Sequence, residues 1–588
     1  MCGIAGLIQF SPLHERARTN FQKLPDLLRH RGPDEEGLFI ADSVMLFQNR
    51  LTLVDKNRYN WPLTTSDDRY RIVFNGEIYN YKELREQLRS DFNFKTQTDT
   101  EVLLAAFIKW GAECVQRLDG MFSFFIWDDL KKDGFAARDA LGVKPFFYSV
   151  SPERSEKFKF IFASESAPLV QSGLVDFKVN SEYILEFLVA PYLTGAQGTP
   201  FQDIQILPAG SVLFVKQSQI KIQSFFEYKI GSTRFAGTHF ENELDEALSK
   251  SVARCFEADF EVGLFLSGGL DSTLIGALSP KCRKAWTLDF ENNSDSDYQE
   301  SLIVKSQDLP FAIRAAQELK HNLNIVSVND GLFAESLERT LTTNDLICAW
   351  EQEVSQQVLS QAAAQSVKAV VVGDAADETH FGYGFLLNPE RVVKPQDFIE
   401  YFGAIAFNPK LNISSAEHFN EKYIAEAEQK GFRWSNTEER RFAVSQLVFD
   451  RWLKRLLHNG DIHSMKYSLE ARVPFAQPEL LNLSRSLNPN DSLDKKYLRR
   501  VASRYLSPEL AGRPKSALTK NLKAQSIIHE KLTESLQWGQ DLLEPYIDMN
   551  QLQQWDLAHR SSTNTVSDRQ AGLEFRLLAV LKWWSRFI

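Results

Sequence analysis

Met1-Cys2-Gly3 puts a cysteine directly behind the initiator methionine. A small residue at position 2 lets that methionine be removed, leaving Cys2 with a thiol and a free α-amine on one residue. An α-amine with a pKa near ~7.7 to 8 can take the thiol proton and later return it to a departing amine. Attack on a carboxamide also needs donors for an oxyanion. Asn75-Gly76, behind the strand-like run Arg71 to Phe74, offers a side-chain amide and a flexible backbone N–H. A free amino acid as substrate would need a cation for its α-carboxylate, which Arg50 could supply as a bidentate fork. It would also need anions for its α-ammonium, which Glu77 and Asp99 could supply. Singly, these residues read as a chance cysteine, an Asn-Gly turn and solvated surface charges.

A second constellation lies at Ser267-Gly268-Gly269-Leu270-Asp271-Ser272, between an apolar run, Val262 to Leu266, and a helix-like stretch, Thr273 to Leu278. Strand, glycine turn and helix start aim backbone N–H groups and the helix dipole at an anion. The sequence has neither a Walker A motif nor GxGxxG, which excludes a P-loop and a dinucleotide fingerprint. A companion follows a β-branched run at Val371-Val372-Gly373-Asp374-Ala375-Ala376-Asp377-Glu378. Asp271 and Asp377, on neighbouring strand ends, could share a Mg²⁺ that bridges ATP phosphates, although either Asp alone could be a helix cap.

The elements that must hold these residues change character along the chain. Up to about residue 215, short β-like runs end in turn residues, with helical patterns at Asn80 to Leu88 and Glu101 to Trp110. Beyond residue 240, apolar runs at Val262 to Leu266, Ala285 to Phe290, Ile325 to Val328 and Ala369 to Val372 alternate with helices, which predicts a parallel sheet. Past residue 390 the pattern is nearly all helical and ends in an amphipathic run, Leu573 to Ile588. We therefore expect two units, 1–215 and 216–588.

At 588 residues the chain is too long for one ordinary core, and 43% hydrophobic residues exclude global disorder. A net charge of −10 without a basic run argues against nucleic acid as a partner. Five scattered cysteines without a CxxC pair, and no apolar run of membrane-spanning length, point to a cytoplasmic protein without a membrane partner.

Several motifs carry a resemblance. Met1-Cys2-Gly3-Ile4-Ala5-Gly6, His30-Arg31-Gly32-Pro33-Asp34, Phe74-Asn75-Gly76-Glu77-Ile78-Tyr79-Asn80, Thr98-Asp99-Thr100-Glu101 and Gly142-Val143-Lys144-Pro145 look like a class II glutamine amidotransferase domain. That likeness implies an N-terminal-nucleophile αββα sandwich that hydrolyses glutamine. Cys2 would be the nucleophile, Asn75 and Gly76 the oxyanion hole, and Arg50, Val54, Glu77 and Asp99 the glutamine pocket. The Ser267 to Ser272 loop resembles that of ATP pyrophosphatases. With Glu470-Ala471-Arg472-Val473-Pro474-Phe475 and Lys496-Tyr497-Leu498-Arg499, the second half is similar to the glutamine-hydrolysing asparagine synthetases. By that likeness a Rossmann-like ATP-pyrophosphatase domain with a helical C-terminal region binds ATP at Leu266, Ser267, Gly268, Gly269, Asp271, Ser272, Leu288, Val372 and Gly373. Lys496 would neutralise phosphate charge, Asp374 would stand near the acyl-adenylate, and the assembly would be a homodimer.

The sequence departs from the family where the acceptor acid should bind. The family's Ser-Gly-Glu-Gly-Ser-Asp-Glu reads Val372 to Glu378 here, with the shorter Asp374 in place of glutamate. Phe-Gly-Gly-Tyr becomes His380-Phe381-Gly382-Tyr383, and a polar insertion occupies Asn292 to Gln307. A charge displaced by ~1 Å can cost ~10²-fold in rate, so aspartate competes as acceptor with another carboxylate, such as a sugar acid or biosynthetic intermediate. A glutaminase or nitrogen-sensing protein with an inactive ATP site is a third reading, opposed by the intact Asp271, Asp377 and Lys496.

Overall fold

The computed structural model describes residues 2–151, 159–194, 198–216, 219–227, 231, 237–279, 282–291, 307–387, 415–516, 524–547 and 568–588. The first twelve strands are β1 (Cys2–Gln9), β2 (Glu35–Ile40), β3 (Val44–Arg50), β4 (Leu63–Thr64), β5 (Tyr70–Ile78), β6 (Gly120–Asp128), β7 (Asp133–Arg138), β8 (Phe147–Val150), β9 (Lys159–Ala163), β10 (Gln205–Ile206), β11 (Ser211–Lys216) and β12 (Gln219–Ser224). They form two six-stranded sheets, in the orders β10-β8-β9-β1-β3-β2 and β12-β11-β7-β6-β5-β4, and every named pairing within them is antiparallel. The inner faces share a core in which Ile4, Ile8, Val73, Phe125, Trp127 and Phe162 are buried. On the outer face of the second sheet, the helix Asp99–Trp110 packs Val102, Leu103 and Ala106 against Phe74 and Phe124. On the outer face of the first, Phe21, Leu24 and Leu28 cover Leu7 and Phe47. Helix, sheet, sheet, helix is the αββα layering that the resemblance implies.

The expected division at 215/216 requires correction. It falls inside β11, and β11 pairs with β12 from Ser211↔Ser224 to Lys216↔Gln219, so the hairpin carries the first unit to Ser224. Asn75-Gly76 also differs from the expected turn. Both residues lie within β5, opposite Ser123 and Phe122 of β6. Glycine is required there because a Cβ on Gly76 would stand 2.2 Å from the Met121 carbonyl oxygen.

The second unit is a five-stranded sheet of β13 (Val262–Phe265), β14 (Lys284–Phe290), β15 (Asn322–Val328), β16 (Ala369–Val371) and β17 (Glu470–Arg472). All pairings are parallel and the order is β15-β14-β13-β16-β17. The order reverses between β13 and β16. In such sheets ligands bind outside the carboxyl ends of the strands at this switch point, and the two Asp-bearing loops leave from those ends. Helices cover the sheet and continue to Asp568–Trp584, whose Leu577, Leu578 and Leu581 are buried. The polar insertion lies outside the described residues except for Gln307. The two units share buried core: Leu51, Tyr79 and Met121 of the first pack in one cluster with Val262, Ala471 and Val473 of the second. Among the described residues no helix is long and apolar enough to cross a membrane.

Candidate functional site

Cys2 opens β1 and is 5% exposed, between β3 and β9. Its backbone N–H donates to Asn75 Oδ1 at 3.1 Å, which ties the nucleophile to β5. Gln48 Nε2 lies 3.5 Å from Sγ while Gln48 Oε1 accepts from Phe74 N–H, so one side chain bridges the two sheets beside the thiol. Asn75 Nδ2 is buried and makes no hydrogen bond among the described residues. An orphaned buried donor is costly, and next to a thiol it suits an oxyanion that forms only during reaction. Burial pushes the Cys2 thiol up, while the amino-terminal charge and Arg50 pull it back.

Arg50 is held as a fixed fork: it donates to Glu35 Oε1 at 2.6 Å and to the carbonyls of Val54 at 2.6 Å and Asp55 at 2.9 Å. Val54 thus meets Arg50 through its backbone. Asp99 begins the helix Asp99–Trp110, whose cap Thr98 accepts from Glu101 N–H, and Asp99 Oδ2 accepts from Ile78 N–H at 3.0 Å. Glu77 is 5% exposed, and burial pushes its carboxyl up to about 8, with Arg472 opposing the rise. Arg472 belongs to β17 of the other unit, and its Nη2 lies 3.3 Å from Glu77 Oε2. This partner of Glu77 was not singled out from the sequence, although its motif was.

In the second unit, Gly268 has φ +71°, and a Cβ there would lie 2.4 Å from Ala312 N, so the turn leading to the helix Leu270–Leu278 admits only glycine. The loop opens on a cavity of about 910 Å³ lined by Leu266, Ser267, Gly269, Asp271, Ser272, Leu288, Val372, Gly373, Asp374 and Asp377. Lys495 Nζ sits between the carboxylates, 2.5 Å from Asp271 Oδ2 and 2.7 Å from Asp377 Oδ1, and Lys515 Nζ lies 2.6 Å from Asp377 Oδ2. Asp271 Oδ1 is buried without a hydrogen bond among the described residues. Burial pushes the Asp374 carboxyl up to about 6, against the pull of Lys515.

Lys496 requires correction. Its Nζ donates to the Asp491 carbonyl at 3.1 Å and lies over the Tyr497 ring, outside the cavity lining. Lys495 has φ +55°, in the left-handed turn before the helix Lys496–Ala502, and that turn sends its side chain to the carboxylates. Nothing in the pair Lys495-Lys496 marks which lysine turns inward. Lys515 and Arg513 were also missed. Arg513 donates to the Ser267 carbonyl at 3.0 Å and pairs with Asp308 at 2.7 Å, bracing the phosphate-type loop.

Two amino-terminal motifs serve the junction between the units. Arg31 Nη2 is 2.7 Å from Asp461 Oδ2 and Lys144 Nζ is 3.2 Å from Asp461 Oδ1, with all three side chains at most 1% exposed. A buried carboxylate shared by two cations locks the units in register, since removal of any member leaves uncompensated buried charge.

The family model described as a glutamine amidotransferase domain matches residues 1–226, and that described as asparagine synthase matches residues 243–586. The chain is 29% identical over 550 residues to asparagine synthetase [glutamine-hydrolyzing] 3 of Bacillus subtilis, covering 88% of this chain and 87% of that one. It is 28% identical over 577 residues to a putative asparagine synthetase [glutamine-hydrolyzing] of Mycobacterium tuberculosis, covering 86% and 85%. It is 26% identical over 533 residues to asparagine synthetase B [glutamine-hydrolyzing] of Escherichia coli, covering 88% and 81%.

Proposed function

Because the chain belongs to the asparagine synthase family, we propose that it is a glutamine-dependent amidotransferase that activates a carboxylate with ATP and amidates it. The observation that carries the reading is the coexistence in one chain of Cys2 beside the orphaned Asn75 amide and of Asp271, Lys495 and Asp377 around a cavity large enough for nucleotide and acid.

After removal of Met1, the Cys2 amine takes the thiol proton and Sγ attacks the glutamine carboxamide carbon. Asn75 Nδ2 and Gly76 N–H receive the oxyanion, the amine returns the proton to the leaving ammonia, and water hydrolyses the thioester to glutamate. Arg50 and the Val54 segment meet the substrate carboxylate, and Glu77 and Asp99 its ammonium. In the second unit an acceptor carboxylate oxygen attacks the ATP α-phosphorus and pyrophosphate leaves. Ammonia then attacks the activated carbonyl and AMP leaves. Lys495, and not Lys496, is the cation we assign to the departing phosphates. Asp374 stands nearest the acyl group, and Leu266, Ser267, Gly269, Ser272, Leu288, Val372 and Gly373 surround the nucleotide.

Among the described residues no group of three or more metal-type side chains is gathered. Two hard carboxylates at adjacent strand ends, one with an orphaned oxygen, nonetheless suit Mg²⁺, which takes one or two carboxylates and completes its shell with phosphates and water. Asp271 and Asp377 would hold it, and when bound it would neutralise pyrophosphate charge. Five unpaired, buried cysteines support a reducing, cytoplasmic setting.

The test is acid-dependent pyrophosphate release from ATP with Mg²⁺ and glutamine present, scoring the amide by mass. The reading expects release and amide together, and expects Asp271→Asn to stop release while glutamine hydrolysis stays detectable. Pyrophosphate release undiminished in Asp271→Asn would remove that residue from the site.

A further inference from the structure

Lys495 does not wait in open space for a phosphate. Its Nζ is 2.5 Å from Asp271 Oδ2 and 2.7 Å from Asp377 Oδ1, and its side chain is 3% exposed. A Mg²⁺ shared by Asp271 and Asp377 would stand between those same two carboxylates. Ammonium and metal cannot both be there, because two like charges in one buried cage repel strongly.

The backbone is shaped to hold the lysine in this place. Phe381, Asp494 and Lys495 all have left-handed φ, at +56°, +56° and +55°. Side chains in that region are strained, and the strain persists only where the surroundings enforce it. Here the Asp494 N–H donates to the Phe381 carbonyl at 3.1 Å, which joins the turn before Lys495 to the loop after Asp377. In that loop the Gly382 N–H donates to the Asp377 carbonyl at 2.9 Å. A Cβ on Gly382 would be 2.2 Å from Lys495 Cε and 2.1 Å from Asp377 Oδ1, so the lysine stem passes the glycine through a gap that no side chain could share. The altered run His380-Phe381-Gly382-Tyr383 keeps this glycine.

Charge decides when the lysine can leave. Among the described residues Lys495 is the ion-pair partner of Asp271, while Asp377 also holds Lys515 on its other oxygen, Oδ2, at 2.6 Å. A metal ion arriving alone would displace a buried ammonium from both of its carboxylates and leave that charge unpaired, which is costly. Mg·ATP removes the penalty, since it brings a cation for the carboxylates and anionic phosphates for the ammonium together.

We propose that Lys495 keeps the metal's place in the nucleotide-free protein. Its Nζ neutralises Asp271 and Asp377 until Mg·ATP enters, then yields the carboxylates to the metal and turns to the phosphates. This rests on the reading above that Asp271 and Asp377 hold Mg²⁺ for ATP. It makes metal and nucleotide bind with positive coupling, each raising the affinity for the other by the same factor.

Mn²⁺ is the probe, its binding to the full-length protein followed by electron paramagnetic resonance with and without α,β-methylene-ATP. Without nucleotide, wild type should bind Mn²⁺ weakly, and Lys495→Met should tighten binding about 10-fold or more. Lys515→Met removes an equal charge beside Asp377 but vacates no place between the carboxylates, and should tighten binding less than about 3-fold. Adding Asp271→Asn to Lys495→Met should abolish the gain, which locates it. Lys495→Gln, neutral but still a donor to the carboxylates, makes the same comparison if the methionine variant does not fold. Equal gains in the Lys495 and Lys515 variants would reduce the effect to net charge and overturn the proposal. Unchanged Mn²⁺ binding in the Lys495 variants would also overturn it, and leave the reading of an ATP site standing. Wild type that binds no Mn²⁺ even with the analogue would sink the metal reading, and this proposal with it.

Discussion

The two candidate sites are built differently. Around Cys2, the working groups sit on β1, β3 and β5 and at the start of one helix, so antiparallel register dictates their spacing: Cys2↔Arg50 and Asn75↔Ser123 are paired positions. The second cavity draws its lining from segments between Pro191 and Arg576 and depends on loops and helix faces. A site fixed by sheet register tolerates little variation, because a one-residue slip inverts every side chain. A site assembled from loops can change its acceptor end while its phosphate end stays constant. The departures at Asp374 and His380 fall in the second kind of site.

Three outcomes would sharpen or break that contrast. The largest effect belongs to Cys2→Ala, which should lower glutamine-dependent amide formation at least ~10³-fold and spare formation from added ammonia. Equal loss with both nitrogen donors, measured by amide yield, would dissolve the division between the regions. Next is Lys495→Ala, which should slow pyrophosphate release about 10²-fold by removing a preorganised cation, whereas Lys496→Ala should change it less than about 2-fold. The reverse ranking in steady-state rates would return the phosphate role to Lys496.

The smallest effect is a pH dependence. Glu77 faces Arg472, Asp99 and Glu470, and its carboxyl is pushed up to about 8 chiefly by burial. Only the deprotonated form can receive an ammonium. Its fraction rises about 5-fold between pH 7 and pH 8, so KM for glutamine should fall by roughly that factor over this interval. A KM that is flat or rises from pH 7 to pH 8 would show that Glu77 is already ionised or does not bind the ammonium.

Legibility in the sequence followed locality. The residues proposed for glutamine hydrolysis could be singled out because Cys2, Asn75-Gly76-Glu77 and Asp99 lie in short motifs whose residue types suit one chemistry. The β13 and β16 loops could be read because strand, turn and helix start are consecutive. The Asn-Gly pair misled, since such a pair ordinarily turns. Here Gly76 serves a close backbone approach inside β5. His30 to Asp34 and Gly142 to Pro145 were legible as motifs, but the burial of Arg31 and Lys144 against Asp461 was not, because that carboxylate lies in the other unit.

Residue order was therefore enough to propose the two chemistries and to foresee the alternation of strands and helices, because hydrophobic period, glycine turns and consecutive motif residues act over a few positions. It did not choose between Lys495 and Lys496, link Arg472 to Glu77 or bring Lys515 to Asp377. Those depend on which way a single left-handed turn throws a side chain and on how separate elements pack. Both are settled by contacts between residues far apart in the chain, and they leave no periodic trace in it.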